Sequence, residues 1–151
     1  KKKAQKAGLS GRIEVLERSM ENPCLPDESF DIIWAEGSIA FMGFENGLDK
    51  WKPLLRPGGF MAVHDDAGDV EAKKKVIAGC GLKLLGYFEL STDVWRDEYY
   101  GPIKNRIEQL KAEYGEGPEV LKVFEQEQKE IDMLENNPAR FRSVFFVMQK
   151  P

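Results

Sequence analysis

The chain has few of the residues that mark secreted, membrane-spanning or metal-binding proteins. It contains 2 cysteines and 1 histidine in 151 residues, so we expect no disulfide framework and no metal site, which would need more ligands. No stretch approaches the roughly 18 apolar residues that a membrane-spanning helix needs. We therefore predict a cytoplasmic protein with two free thiols, no bound metal and no membrane partner.

An excess of basic residues is also missing. The chain has 22 lysines and arginines against 26 aspartates and glutamates, a formal net charge of -4. Proteins that bind nucleic acid usually present a basic face, so we expect no nucleic-acid partner and favour a small molecule instead. With 42% hydrophobic residues, the chain can bury a core and form one domain.

Apolar runs bounded by glycine and proline predict a layered α/β fold. Five runs read as strands, at 13–16, 30–35, 60–63, 82–90 and 143–148. Helical spacing predicts helices over 1–7, 45–55, 69–78 with Asp69 as N-cap, 103–110 and 118–134. Because the first four strands have short helices between them, we expect a mostly parallel sheet with right-handed crossovers.

Three motifs in a fixed order carry a family resemblance. The segment Leu-Pro-Asp-Glu-Ser-Phe-Asp at 25–31 enters the strand Ile-Ile-Trp-Ala at 32–35, and Leu-Arg-Pro-Gly-Gly-Phe at 55–60 enters the next strand. Together they resemble class I S-adenosylmethionine-dependent methyltransferases. The resemblance implies a Rossmann-like sheet with an antiparallel last strand, in a single domain over 1–151 with a helical insertion at 93–140.

The same resemblance implies a cofactor-binding segment that the sequence does not contain. Class I methyltransferases hold most of the cofactor with a glycine-rich turn after a first strand and a carboxylate after the second. The residues before Ile13 are too few for two strands and a helix. We therefore expect an incomplete methyltransferase domain that does not methylate by itself and is either part of a longer enzyme or truncated. In the second case its strand at 13–16 would be an open sheet edge, which a homodimer would cover.

Residues that follow strands are the candidates for a site, because ligands of open α/β sheets bind outside the carboxyl ends of the strands. The resemblance assigns Ser19 and Met20 to the adenine of S-adenosylmethionine, and Glu36 and Gly37 to its methionine part. Ser19 stands where the family usually has aspartate, so its hydrogen bond lacks charge assistance. The alternatives are a solvent-facing Ser19, a gap-filling Met20 and a Glu36 that caps the next segment.

Glu36 and His64 are the candidates for catalytic groups. A histidine beside carboxylates can act as a general base near neutral pH, and the alternative for His64 is a polar strand end. The aromatic residues Trp95, Tyr99 and Tyr100 lie in the insertion. They would either close over the crevice and exclude water or pack in the core.

Three functions are compatible with these patterns. The leading hypothesis is methyl transfer to a small-molecule acceptor. The second is a non-catalytic interaction module that uses the helices of 103–134 as a partner or dimer surface, which an exposed apolar stripe would indicate. The third is another nucleotide-binding α/β protein, such as an oxidoreductase or epimerase, which a parallel last strand would indicate.

Overall fold

The computed structural model describes residues 2–151, which form a four-stranded sheet with helices. The strands are β1 (Phe30–Glu36), β2 (Leu55–Asp66), β3 (Lys83–Leu90) and β4 (Ser143–Gln149). Their order in the sheet is β1-β2-β4-β3; β1 and β2 are parallel, and β4 is antiparallel to both of its neighbours. The first three strands thus share one direction. The predicted Rossmann-like sheet with an antiparallel last strand is confirmed, and the antiparallel β4 argues against the third hypothesis.

The helices occupy the connections between these strands. They are α1 (Lys2–Lys6), α2 (Phe44–Trp51), α3 (Val70–Gly79), α4 (Thr92–Trp95), α5 (Gly101–Tyr114), α6 (Pro118–Val123) and α7 (Glu125–Asn136). A π-helical turn, Arg96–Tyr100, joins α4 to α5. Because α4 to α7 all lie between β3 and β4, the predicted helical insertion before the last strand is confirmed. No helix within residues 2–151 is long and apolar enough to cross a membrane.

The strand predicted at 13–16 is wrong. These residues form irregular chain, and Ile13 and Val15 are 48% and 55% exposed. A strand exists only when a neighbouring strand satisfies its backbone groups, and no neighbour pairs with this run. The open edge of the sheet on that side is β1.

Several helix boundaries also differ from the prediction. The helix predicted over 45–55 ends at Trp51, a 3₁₀ turn over Lys52–Leu54 follows, and Leu55 already belongs to β2. The helix predicted from Pro118 divides at Phe124 into α6 and α7. In the helix predicted over 1–7, Lys1 lies outside the described residues; α1 ends at Lys6, and Gly8 adopts a φ of 69°.

The core lies on one face of the sheet. Alternate residues of the strands point into it, and helices α2 and α3 cover it; its fully buried members are Ile39, Leu48, Leu55, Met61, Val63, Ile77, Val144, Phe146 and Met148. The opposite face keeps large apolar side chains exposed, namely Ile32, Trp34, Phe60 and Phe88. The sheet is therefore covered by helices on its core face and open along much of the other.

A second, smaller core holds the insertion together. Tyr100 and Ile107 pack against Ile131 and Leu134, all buried, with Ile103 partly buried beside them. The apolar stripe of α5 and α7 is thus turned inward. This observation does not favour the hypothesis of a helical partner surface.

Asp69 caps α3 as the sequence predicts. Its carboxylate accepts a hydrogen bond from the backbone N–H of Ala72 at 2.8 Å. We expect Asp69→Ala to lower the free energy of unfolding by about 1 kcal/mol, since alanine cannot accept this bond. Urea denaturation measures the change, and Asp69→Asn is the control that retains a capping oxygen. Equal stability of the alanine variant and the wild type would contradict a stabilising cap.

Candidate functional site

The carboxyl ends of β1 and β2 bring the predicted residues together. In the parallel pair Glu36 lies directly opposite His64. The chain enters this pair through two backbone bonds, in which the N–H groups of Glu28 and Ser29 donate to the carbonyls of Pro53 and Leu54 at 2.9 and 3.0 Å. These two bonds join the Leu-Pro-Asp-Glu-Ser-Phe-Asp segment to the turn that precedes β2. The register shifts between Phe30 and Ile32, and from there the pairing is continuous up to Glu36 opposite His64.

Glu36 and Gly37 form the accessible end of β1. The Trp34 indole N–H donates to Glu36 Oε1 at 2.7 Å, and Glu36 forms no ion pair with any described residue. Gly37 has a φ of 60° and would have open space around an added Cβ. The positive φ favours glycine, and the open space lets a ligand approach this backbone. Together the two residues offer a held carboxylate beside an accessible turn.

His64 is enclosed by aromatic rings. Only 7% of the residue is exposed, and its ring centroid lies 4.6 Å from that of Phe145 and 5.7 Å from that of Trp95. Burial lowers the pKa of His64 below its ordinary value, while the charges of Glu36 and Asp65 oppose this shift. The imidazole is thus neutral near pH 7, as a proton acceptor must be.

The two aspartates that follow His64 form ion pairs with a lysine of α3. Lys73 Nζ lies 2.6 Å from Asp65 Oδ2 and 3.1 Å from Asp66 Oδ2. Burial would raise the pKa of Asp66, but the N–H of Gly68 and the Lys73 ammonium outweigh it and hold the pKa below its usual value. These carboxylates therefore hold α3 to the end of β2. Residues 2–151 contain no group of three or more His, Cys, Asp or Glu side chains that could hold a metal ion.

The structure separates Ser19 from Met20. Met20 lines an apolar groove of about 330 Å³ along β1 together with Trp34 and Trp51, and its carbonyl accepts a bond from the Trp51 indole N–H at 3.1 Å. Ser19 is exposed and its hydroxyl accepts a bond from the N–H of Glu21 at 3.3 Å. Met20 therefore lies beside the sheet, while Ser19 lies in a surface turn outside the groove lining.

The three aromatic residues of the insertion occupy different positions. The Trp95 indole N–H donates to Ser143 Oγ at 3.1 Å, which holds its ring near His64. Tyr100 is buried in the insertion core, where burial, a hydrogen bond to Glu130 and the nearby negative charge raise its pKa to about 12. Tyr99 is half exposed and meets both rings edge-on. Only Trp95 of the three reaches the candidate site.

The sequence prediction missed Phe145 as a neighbour of the site. Phe145 pairs with His64 across β2 and β4 and stacks on Phe88, with ring centroids 5.1 Å apart. The sequence pattern predicts Phe145 only as one residue of the strand at 143–148. The signal that could have found it is the alternation of β4, but the register with β2 comes from the folded sheet.

Glycine-rich turns of the cofactor-binding kind do not occur in the described residues. The spacing Gly-x-Gly appears at 79–81 and 115–117. The first ends α3 and the second follows α5, with Gly81 and Gly115 at φ of 65° and 83°. Both are helix ends rather than strand-to-helix turns. A cofactor cradle after a strand is therefore not formed by these glycines.

The first part of the chain is similar to a known protein family. Residues 1–63 match the family described as "Methyltransferase domain". This match covers less than half of the chain. A probable phthiotriol/phenolphthiotriol dimycocerosates methyltransferase 2 of Mycobacterium ulcerans (strain Agy99) is 28% identical over 87 residues, which are 56% of this chain and 34% of that protein.

Solved methyltransferases share the fold over nearly the whole chain. A putative sarcosine dimethylglycine methyltransferase from Galdieria sulphuraria aligns with a TM-score of 0.76 at 18% identity, over 99% of this chain and 63% of that one. A Geobacter sulfurreducens methyltransferase in complex with S-adenosyl-L-homocysteine aligns with a TM-score of 0.70 at 12% identity, over 98% and 68%. The chain spans about a third of the length of the curated relative that it matches.

Proposed function

We propose that residues 2–151 supply the acceptor-facing side of a methyltransferase that transfers a methyl group from S-adenosylmethionine to a small molecule. The observation that carries the proposal is the register of the parallel pair, which sets Glu36 and Gly37 beside His64 at the carboxyl ends of the strands. Ligands of open α/β sheets bind at this edge. A methyl donor and a proton acceptor would therefore meet there.

The side chains present fit two ends of the cofactor. S-adenosylmethionine supplies an electrophilic methyl group on a sulfonium. The apolar groove beside Met20 suits the adenine, and Ser19 would contribute only if its surface turn moves. The Glu36 carboxylate suits the ammonium of the methionine part, since a charged pair forms a strong hydrogen bond. Gly37 permits close approach of that part to the backbone.

The proposal includes an incomplete cofactor cradle. The described residues provide no glycine-rich turn after a strand and no carboxylate placed for the ribose. Methyl transfer depends on holding donor and acceptor in line, and a misplacement of about 1 Å can cost about 100-fold in rate. We therefore propose that the chain by itself binds the cofactor weakly and does not turn over. The two free cysteines support a reducing, cytosolic location.

The proposal of a small-molecule methyl acceptor is supported by the net charge of the chain and by the names of its relatives. The net charge of -4 does not provide the basic face of a nucleic-acid enzyme. The relatives above are named for phthiotriol/phenolphthiotriol dimycocerosates and for sarcosine dimethylglycine, which supports a small acceptor here. Self-association stays a prediction, supported by the open edge of β1 and by the apolar face that Ile32 and Trp34 expose beside it.

Calorimetric titration with S-adenosylhomocysteine tests the proposal. We expect saturable binding of the folded chain with a dissociation constant of about 1 mM. Glu36→Gln should weaken it by about tenfold, because a hydrogen bond to a charged group contributes about 1.5 kcal/mol or more. Glu21→Gln, an exposed glutamate next to Met20, is the matched control and should bind as the wild type does. Absence of binding by folded wild-type protein would disprove the cofactor assignment.

A further inference from the structure

Strand β1 leaves one edge of the sheet without a neighbouring strand. It pairs with β2 on one side only, and among residues 2–151 no backbone group outside β2 bonds to its backbone. The groove of about 330 Å³ follows this edge. It is lined from both faces of the strand, by Ile32 and Trp34 on the open face and by Ile33 and Ala35 on the core face. Unpaired backbone groups with apolar side chains on both flanks are what an added strand needs.

The other edge of the sheet is protected against such pairing. The register of β3 with β4 shifts between Leu84 and Gly86, and β3 carries the charged residues Lys83 and Glu89. Irregular pairing and charged side chains are devices by which proteins block their sheet edges. Strand β1 is uncharged over residues 32–35 and pairs regularly with β2 from Ile32 onward. The unprotected edge is therefore β1.

The exposed surface is larger than a protein of this mass normally presents. The accessible area is 10343 Å² for 17.2 kDa, whereas a folded monomer of this mass exposes about 7,800 Å². The surplus of about 2,500 Å² over that expectation lies on the irregular chain before β1 and on the open face, where Ile32 and Trp34 are 59% and 67% exposed. Stable homodimers bury about 1,000–2,500 Å² on each partner. A second copy of the chain covers an area of this size.

We propose that two copies of the chain pair through β1, antiparallel and about a two-fold axis at Ile33, so that four strands from each copy join into one sheet. Ile33 is the middle residue of β1, so this register pairs the whole strand. It sets Ile32 of each copy opposite Trp34 of the other. Aromatic and β-branched side chains in direct opposition stabilise antiparallel pairs. Because both copies present the same patch, the assembly closes as a dimer.

The charges at the two ends of β1 permit this register. Asp31 lies opposite Ala35, and Glu36 meets the Phe30 end of the other strand, so no two carboxylates are in direct opposition. At that end Arg56 Nη1 lies 2.8 Å from Asp31 Oδ1, which neutralises the aspartate that Glu36 approaches. An axis at Glu36 would instead bring two glutamates together, and like charges in direct opposition are destabilising.

The added strand and the adenine of the cofactor would occupy the same groove. The groove beside β1 is the one proposed above for the adenine, so this consequence rests on the proposed function. We expect saturating S-adenosylhomocysteine to lower the dimer fraction in analytical ultracentrifugation. An unchanged fraction where calorimetry shows binding would overturn the competition. Absence of calorimetric binding would disprove the cofactor assignment and leave the pairing of β1 intact.

The mass of the chain in solution tests the pairing itself. We expect ultracentrifugation to give twice 17.2 kDa, with a dissociation constant of about 10 µM. The double variant Ile32→Lys with Trp34→Lys sets lysine opposite lysine and should weaken the dimer by about 30-fold or more, as loss of a central tryptophan implies. Phe88→Lys, on the same face at the far edge, is the matched control and should stay dimeric. A monomeric wild type, a dimeric double variant or a monomeric Phe88→Lys would overturn the proposal.

A mixture of charge variants tests the register. The double variant Ile32→Glu with Trp34→Glu should be monomeric alone, because it sets glutamate opposite glutamate. Mixed with the double-lysine variant it should form a mixed dimer, since lysine then lies opposite glutamate at both contacts. Circular dichroism verifies that each variant is folded. A mixture of two folded variants that stays monomeric would overturn the axis at Ile33.

Discussion

Replacement of Phe146 by alanine is expected to lower the free energy of unfolding by about 3–5 kcal/mol. Phe146 is fully buried on β4 at the centre of the core. Its ring meets Phe44 of α2 edge-on with centroids 5.5 Å apart, and stacks with Tyr87 of β3 at 6.1 Å. Alanine would lose these contacts and leave a cavity between sheet and helix. Urea denaturation monitored by circular dichroism measures the change.

The control for this variant is another phenylalanine. Phe41 is 81% exposed in the turn before α2, so Phe41→Ala should change the stability by no more than about 0.5 kcal/mol. A small effect at Phe146 would mean that β4 does not form the centre of the core. Comparable losses at both positions would show that burial does not decide the cost.

Loss of the lysine that joins α3 to β2 should cost nearly as much. Lys73 is 14% exposed and Asp65 is 5% exposed at their side chains, with 2.6 Å between ammonium and carboxylate. Lys73→Met would leave Asp65 buried without its partner, and we expect a loss of about 3 kcal/mol. Thermal and urea unfolding of the same variant measure it. The end of β2 carries His64, so the variant should also disturb the site.

Two further variants separate charge from packing. Lys74→Met removes the neighbouring lysine, whose partner Glu71 is 76% exposed, and should change the stability little because surface pairs contribute little. The double variant Lys73→Met with Asp65→Asn removes both charges and should be more stable than Lys73→Met alone. If the single and double variants lost the same stability, the unpaired carboxylate would not be the cause.

The strands at 30–35, 60–63, 82–90 and 143–148 were predictable because each is an apolar run bounded by breakers. Pro57-Gly58-Gly59 separates Leu55 from Phe60 in sequence, yet β2 runs through all of them. Leu55 and residues 60–64 pair with β1, and residues 60–66 pair with β4. Prediction thus found the apolar part of β2 but not its full length.

The run at 13–16 shows the opposite failure. Ile13, Val15 and Leu16 have the composition of a strand, but a strand also needs a partner for its backbone groups. No described strand lies next to them, and all three side chains remain exposed. Local propensity was therefore insufficient, because pairing is a property of the whole sheet.

The sequence predicted candidate residues of the site but not how they contact one another. Glu36 and His64 could be found because each follows an apolar run that predicts a strand. For Trp95 the sequence left two alternatives open, a position over the crevice or in the core. Its contact with His64 depends on the path of α4 above the sheet, which no spacing in the sequence specifies.

The sequence by itself determined the layered class, the family resemblance and the strand ends that carry polar groups, because apolar periodicity and breakers act over a few residues. Only the tertiary structure decided that Glu36 faces His64, that Met20 lies in a groove while Ser19 does not, and that His64 Nε2 is buried without a hydrogen-bond partner among residues 2–151. These facts depend on strand register and on packing between residues far apart in the chain. Such contacts are selected by the folded state as a whole.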